Sequence, residues 1–196
     1  MKPGLVRLFE KTPLLRSKDL EQSGFSRIAL SRLVAAGELR RLRRGLYCLP
    51  SYRQNEHGDL AIVSKQMPEA VICLLSALRY YELTTQSPAE IWIAIHRKAR
   101  APSLEAISLK VVRFGEAALR QGIELKSVDG VPVRITSIEK TIADCFKYRS
   151  KVGLDVALEA LKDATQRKLI NQNELWACAK IDRVKNVMRP YLEVLV

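Results

Sequence analysis

Along the 196 residues, apolar positions recur at helical spacing, then in β-rich runs, then at helical spacing again. In residues 4–11, Leu5, Leu8 and Phe9 share one side, and Pro13 stops that helix. A short helix is predicted over 18–22, broken at Ser23-Gly24, and a second over 26–36, ending at Gly37. Ser26 can cap the second helix, its hydroxyl accepting from an orphan amide of the first turn. Phe25 and Leu30 stand at the two positions of a hydrophobic staple. At about 100° per residue, Ala29, Leu30, Leu33 and Val34 gather on the core side, and Arg27, Ile28, Ser31, Arg32 and Ala35 face outward. Two short strands are expected around Arg43-Arg44-Gly45.

A polar run over 51–57 follows, then a helix over 59–66 that ends at Met67-Pro68. Residues 70–74 suit either strand or helix, and 76–82 read as a helix that turns at Thr84-Thr85. The β texture comprises candidate strands over 91–95, 108–114, 123–128 and 131–135. The last two flank Asp129-Gly130, a two-residue hairpin signal. Thr136-Ser137-Ile138-Glu139 has the form of a capping box opening a helix to Tyr148. Leu154, Leu158 and Leu161 stripe a second helix, and 173–180 form a third. Val184, Val187, Met188, Tyr191, Leu192 and Leu195 stripe a last one, bent or restarted at Pro190.

The expected fold class is α+β: an N-terminal winged helix-turn-helix, then a mixed α/β domain with a small sheet and a helical C-terminal tail. The predicted divisions are 1–52 for the head, 53–69 for a linker and helix, and 70–196 for the body.

Charge sharpens this division. The net charge is +12 with a pI near 9.8, which suits a polyanionic partner. Residues 1–53 hold 12 Lys/Arg against 4 Asp/Glu, and the other 143 residues hold 21 against 17. Cys48, Cys73, Cys145 and Cys178 show no C-x-x-C spacing and read as buried free thiols of a reducing cytoplasm. Met1-Lys2-Pro3-Gly4 lacks the apolar core of a signal peptide, and no stretch has membrane-spanning length, so a cytoplasmic protein without a membrane partner is expected.

The outward face of the 26–36 helix is short, small or cationic, as suits a helix lying in a major groove. Arg reads guanine, Ser bonds either partner, and an apolar tip touches a thymine methyl. Arg40, Arg41, Arg43 and Arg44 then set four guanidinium groups beside a glycine turn, as a phosphate-gripping wing would. The candidate DNA-binding residues are Lys18, Ser26, Arg27, Ile28, Ser31, Arg32, Arg40, Arg41, Arg43 and Arg44. Alone, either feature is equally a solvated face; adjacent, they favour double-stranded DNA as partner.

Other chemistry is sparse. Glu124-Leu125-Lys126 has the E-x-K form of metal-dependent nucleases, with Glu90, Glu105 or Glu116 as further acids, and a nuclease is the alternative function. E-x-K arises readily by chance, and a half-exposed strand beside a hairpin, with Glu and Lys flanking an inward Leu, accounts for it. His57 and His96 lack catalytic partners, and no phosphate-binding glycine loop occurs, so neither an enzyme nor a cofactor is expected. An RNA adaptor would need exposed aromatics near the basic residues, and only Tyr52 stands there. His96-Arg97-Lys98-Ala99-Arg100 reads as a solvated loop, an auxiliary phosphate contact or a dock for an acidic partner.

The run Leu39-Arg40-Arg41-Leu42-Arg43-Arg44-Gly45-Leu46-Tyr47-Cys48-Leu49-Pro50 resembles the R-x-x-R-G-x-Y-x-x-P wing of the AbiEi antitoxins, regulators of bacterial abortive-infection toxin–antitoxin systems. Gly24-Phe25-Ser26 and Leu33-Val34-Ala35-Ala36-Gly37 fit the same template. In the body, Ser76-Ala77-Leu78 with Leu83-Thr84 resembles a family landmark, and the segment from Ile135 to Cys145 is similar to its T-x-x-[ER]-[RK]-T-[LIV]-x-D helix. The resemblance implies a repressor that binds inverted repeats in its own operon's promoter, as a monomer in solution or a dimer on DNA. It also implies a C-terminal domain that counteracts a nucleotidyltransferase-like toxin, a structural helix from Thr136, and no catalytic residue.

Overall fold

The computed structural model describes residues 3–195. Met1, Lys2 and Val196, at the outer ends of the predicted head and body, lie outside the described residues, as does the side chain of Leu195 from the last predicted stripe. The chain is mixed α/β with two sheets and divides into two compact units. One comprises Met1–Pro68 with Lys126–Val133, the other Glu69–Leu125 with Arg134–Val196.

The first unit runs α1 (Pro3–Lys11), β1 (Leu15–Arg16), α2 (Ser17–Gln22), α3 (Arg27–Ala35), β2 (Arg40–Arg43), β3 (Leu46–Cys48) and α4 (Gly58–Gln66). The two-residue β1 has no signal in the sequence pattern. Its strands form one antiparallel sheet in the order β1-β3-β2, with Leu15 opposite Tyr47 and Arg41 opposite the same residue from the other side. Leu5, Phe9, Leu15, Leu20, Leu30, Leu33 and Leu39 make its core, and the staple residue Phe25 packs against it. Glycine ends both α2 and α3. Gly24 (φ 89°) donates to the Glu21 carbonyl and Phe25 to that of Leu20. Gly37 (φ 70°) donates to Val34 and Glu38 to Leu33. Each is a Schellman close, in which a left-handed glycine lets two orphan carbonyls find donors.

The second unit holds β4 (Val71–Ile72), α5 (Leu74–Tyr80), β5 (Ile91–His96), β6 (Leu109–Phe114), α6 (Glu116–Arg120), α7 (Ile138–Lys147), α8 (Arg149–Val152), α9 (Leu154–Gln166), α10 (Gln172–Asp182) and α11 (Lys185–Leu195). Strands β7 (Ile123–Val128) and β8 (Val131–Thr136) divide between the units, Lys126–Val133 belonging to the first and the rest of both strands to the second. The five-stranded sheet has the order β6-β5-β4-β8-β7. Strand β5 runs parallel to β6 and antiparallel to β4, and β4 runs parallel to β8. The ambiguous 70–74 segment resolves into both forms, a two-residue strand and the start of α5. Helix α7 is the unit's central element, with every residue from Lys140 to Phe146 buried against neighbours that include α5, α9 and α10.

Three local expectations change. The cap of α7 is Ser137, not Thr136, its side chain accepting from the Lys140 amide at 3.2 Å. Thr136 still belongs to β8 and lies 2.7 Å from the Thr141 hydroxyl, while Glu139 accepts from the Asn171 amide at 2.9 Å instead of closing a capping box. Of the two forms expected for the last helix, bent or restarted at Pro190, the restart is not observed, since α11 continues through Pro190. The short helices α6 and α8 have too few residues to show a period in the sequence.

Candidate nucleic-acid interface

Helix α3 presents the face that its periodicity predicts. Leu30 and Leu33 are buried, Ala29 and Val34 half-buried, and Arg27, Ile28, Ser31, Arg32 and Ala35 exposed. Ile28 is 68% exposed, unusual for an isoleucine on a helix with a core to join. Ser26 is the N-cap, its hydroxyl accepting from the Ala29 amide at 3.2 Å. Arg27 donates through Nε to Glu21 at 2.8 Å, and that hydrogen bond raises the affinity of its guanidinium for its proton. This pair tethers the first turn of α3 to the end of α2.

The four hairpin arginines differ in environment. Arg41 and Arg44 are exposed, and Gly45 (φ 70°) turns the chain beside Arg44. Arg40 is exposed but engaged, donating to the Tyr52 carbonyl at 2.9 Å and to Cys48 Sγ at 3.4 Å. Arg43 is half-buried where the strand register shifts between Arg41 and Arg43. It donates to the Leu42 carbonyl at 3.1 Å, and its buried Nε has no hydrogen-bond partner.

Lys18 lies exposed on α2. Its neighbour Asp19 accepts from the Arg16 amide (3.0 Å) and guanidinium, with Lys65 3.7 Å away. Burial alone would raise the Asp19 carboxyl, but Arg16 and Lys65 hold it below its usual range. All ten predicted contact residues thus fall in one unit. Of these ten, among the described residues, Lys18, Ile28, Ser31, Arg32, Arg41 and Arg44 are exposed and make no side-chain hydrogen bond or ion pair.

Elsewhere the polar chemistry is structural. Glu124 lies 3.0 Å from the Tyr81 hydroxyl, which is equally close to the Thr136 carbonyl. Among the described residues no group of three or more His, Cys, Asp and Glu side chains could hold a metal ion, and nothing here favours the nuclease reading. All four cysteines are free and buried. His96 faces Glu116 at 3.6 Å, and Arg113 pins the basic loop beyond it by donating to the carbonyls of Arg97 and Ala99.

One cluster escaped the sequence reading. Lys140 contacts both Asp144 and Asp182, all three side chains fully buried, and Lys147 reaches Asp182 at 2.9 Å. The Lys140 ammonium also sits 4.7 Å from the centre of the Phe114 ring. Burial drives the Asp144 carboxyl well above its ordinary range, whereas Asp182 is held below it by Lys140 and Lys147 against the opposing effect of burial. Its only trace in the sequence is the i,i+4 spacing of Lys140 and Asp144, which exposed helix pairs share.

An exposed, partly cationic helix face and an arginine-rich hairpin in one unit make this surface a candidate for contact with a nucleic acid. Residues 5–50 match the family model described as "Transcriptional regulator, AbiEi antitoxin". That interval spans α1 to the end of β3 and ends before the body's landmarks. The chain is also similar in fold to the crystal structure of the RV2827C protein from Mycobacterium tuberculosis, at a TM-score of 0.60 and 16% identity over 90% of this chain and 70% of that one. No curated protein matches the sequence. Among the described residues no helix is long and apolar enough to cross a membrane.

Proposed function

We propose that this protein is a winged helix-turn-helix repressor of its own operon and the antitoxin of a nucleotidyltransferase-like toxin. The observation that carries the reading is the exposed face of α3, Arg27, Ile28, Ser31 and Arg32, in one unit with the arginines of the β2–β3 hairpin. In this reading α3 enters the major groove, and Arg41 and Arg44 hold phosphates from the wing. Double-stranded promoter DNA with inverted repeats is the partner, the protein acts in the cytoplasm, and no catalytic step is required. Residues 70–196 form the antitoxin-type part. The family match over the head and the body motifs from Ile135 to Cys145 support the pairing of these two roles.

The test is a gel-shift titration of the full chain against the DNA upstream of its own gene, at several salt concentrations. Tight binding that weakens steeply with salt and exceeds binding to a scrambled duplex is the expected result. Equal affinity for both duplexes overturns the operator reading. Co-expression with a nucleotidyltransferase encoded beside the gene tests the second role, and failure to rescue growth overturns it.

A further inference from the structure

Within the second unit, the loop after β5 meets the junction of α7 and α8. The Arg97 amide donates to the Phe114 carbonyl at 3.0 Å, and the Tyr148 hydroxyl donates to the Arg113 carbonyl at 3.0 Å. Arg113 in turn holds the loop through the Arg97 and Ala99 carbonyls. The half-buried Tyr148 ring rests on buried Phe114, centres 6.0 Å apart and planes within 16° of parallel. The ammonium groups of Lys147 and Lys151 lie 5.8 and 5.6 Å from the centre of the Tyr148 ring. Arg97, Lys98 and Arg100 on the loop, Arg113 on β6 and Lys151 on α8 are all exposed. Little acid opposes them. Glu116 faces His96 and Arg120, and Asp182 is taken up by Lys140 and Lys147. Among the described residues, none of these exposed cations has a carboxylate within ion-pair distance.

The fold thus places an aromatic ring inside a basic cluster that the sequence shows only as a loop. A duplex, an acidic peptide and a single strand all carry the opposite charge, but they differ toward the ring. Duplex bases are stacked on one another, and carboxylates gain nothing from an aromatic face. A single strand brings phosphates and free base faces together. We propose that this surface of the second unit binds single-stranded nucleic acid, an unstacked base lying on the Tyr148 ring and the flanking phosphates on Arg97, Lys98 and Lys151. The base extends the stack that Phe114 and Tyr148 begin. RNA and single-stranded DNA share this chemistry. The site is independent of the duplex reading of the first unit.

Fluorescence anisotropy of the full chain with labelled poly-uridine and poly-thymidine, at several salt concentrations, tests it. The triple variant Arg97→Ala, Lys98→Ala, Lys151→Ala should bind one or both strands about tenfold more weakly, with a salt slope lower by about two, at roughly 0.7 per lost phosphate contact. Its affinity for the duplex upstream of the gene should stay within about twofold, since that duplex is read by the first unit. Tyr148→Leu should also weaken single-strand binding about tenfold, whereas Tyr148→Phe, which keeps the ring, binds normally. Unchanged affinity of the triple variant for both strands overturns the proposal. An equal loss of duplex binding overturns it in favour of a duplex contact, and displacement by poly-glutamate as readily as by unlabelled strand overturns it in favour of an acidic protein. Tyr148→Leu binding as tightly as Tyr148→Phe overturns the stacked base.

Discussion

Lys140 and Asp182 meet 2.9 Å apart with neither side chain exposed, although 42 positions separate them in the chain. The contact ties α7 to α10. Asp144, one turn along α7, shares the same ammonium, and one of its oxygens is buried without a hydrogen-bond partner. Burying charge is costly unless it is paired, so each member of this cluster depends on the others.

Lys140→Met should therefore destabilise the protein by about 3–5 kcal/mol, because it leaves the buried Asp144 without a cation and Asp182 with Lys147 alone. Urea unfolding followed by circular dichroism measures it as a lower midpoint at unchanged slope. A loss under about 1 kcal/mol would mean that the carboxylates reach water once the lysine is gone.

The two aspartates should give stability opposite pH dependences. Asp182 is held below the ordinary carboxylate range, so its contribution is present above that range and fades as pH falls through its lowered value. Asp144 is raised, so its contribution is complete below the ordinary range and fades as pH climbs through its raised value. Asp144→Asn should flatten the fall in stability as pH climbs above the ordinary carboxylate range, and Asp182→Asn the fall as pH drops below it. Profiles of both variants from denaturant titrations at a series of pH values check this. An Asp144→Asn profile that falls unchanged as pH climbs above the ordinary carboxylate range would contradict it.

On DNA, the arginines should separate by environment. Arg27→Ala and Ser31→Ala should each lose about 1–3 kcal/mol of discrimination between operator and scrambled sequence. Arg41→Ala and Arg44→Ala should weaken both duplexes alike, each reducing the salt slope by about one. Arg40→Ala should also lower stability, since its guanidinium holds the Tyr52 carbonyl. Altered sequence preference in Arg44→Ala with none in Arg27→Ala would reverse the groove assignment.

Gly37→Ala should cost about 1–2 kcal/mol through the left-handed backbone alone. An added Cβ meets nothing within 4 Å, so there is no clash to add to it. Gly115→Ala, with ordinary φ and equally open space, is the matched control and should be near neutral. Thermal melts of the two variants make the comparison, and equal melting temperatures would refute it.

The parts of the fold that were legible share one property: their cause is local. The spacing of Leu30 and Leu33, the Ser26 cap, the glycine at each helix end and the Asp129-Gly130 turn each act within a few residues. The α7 cap was misplaced by one position for the same reason in reverse. Thr136 and Ser137 are equivalent cap candidates by sequence, and only the extension of β8 through Thr136 decides between them. Of the candidate interface, the outward face of α3 was legible, because a period of 3.6 residues assigns sides. The unequal exposure of Arg40, Arg41, Arg43 and Arg44 was not, since it depends on the bulge in β2 and on Tyr52.

The sequence by itself determined the longer helices and strands, the glycine-closed turns, the concentration of positive charge in the first quarter of the chain, and the residues α3 presents. These follow from backbone sterics, capping and periodicity, which operate over four residues or fewer. Only the tertiary structure decided that β4 lies between β5 and β8, that Lys126–Val133 joins the first compact unit, and that Lys140 is buried between two aspartates. Each of these depends on segments far apart in the chain coming together, and neither hydrophobic period nor residue type records which distant partner a surface will meet.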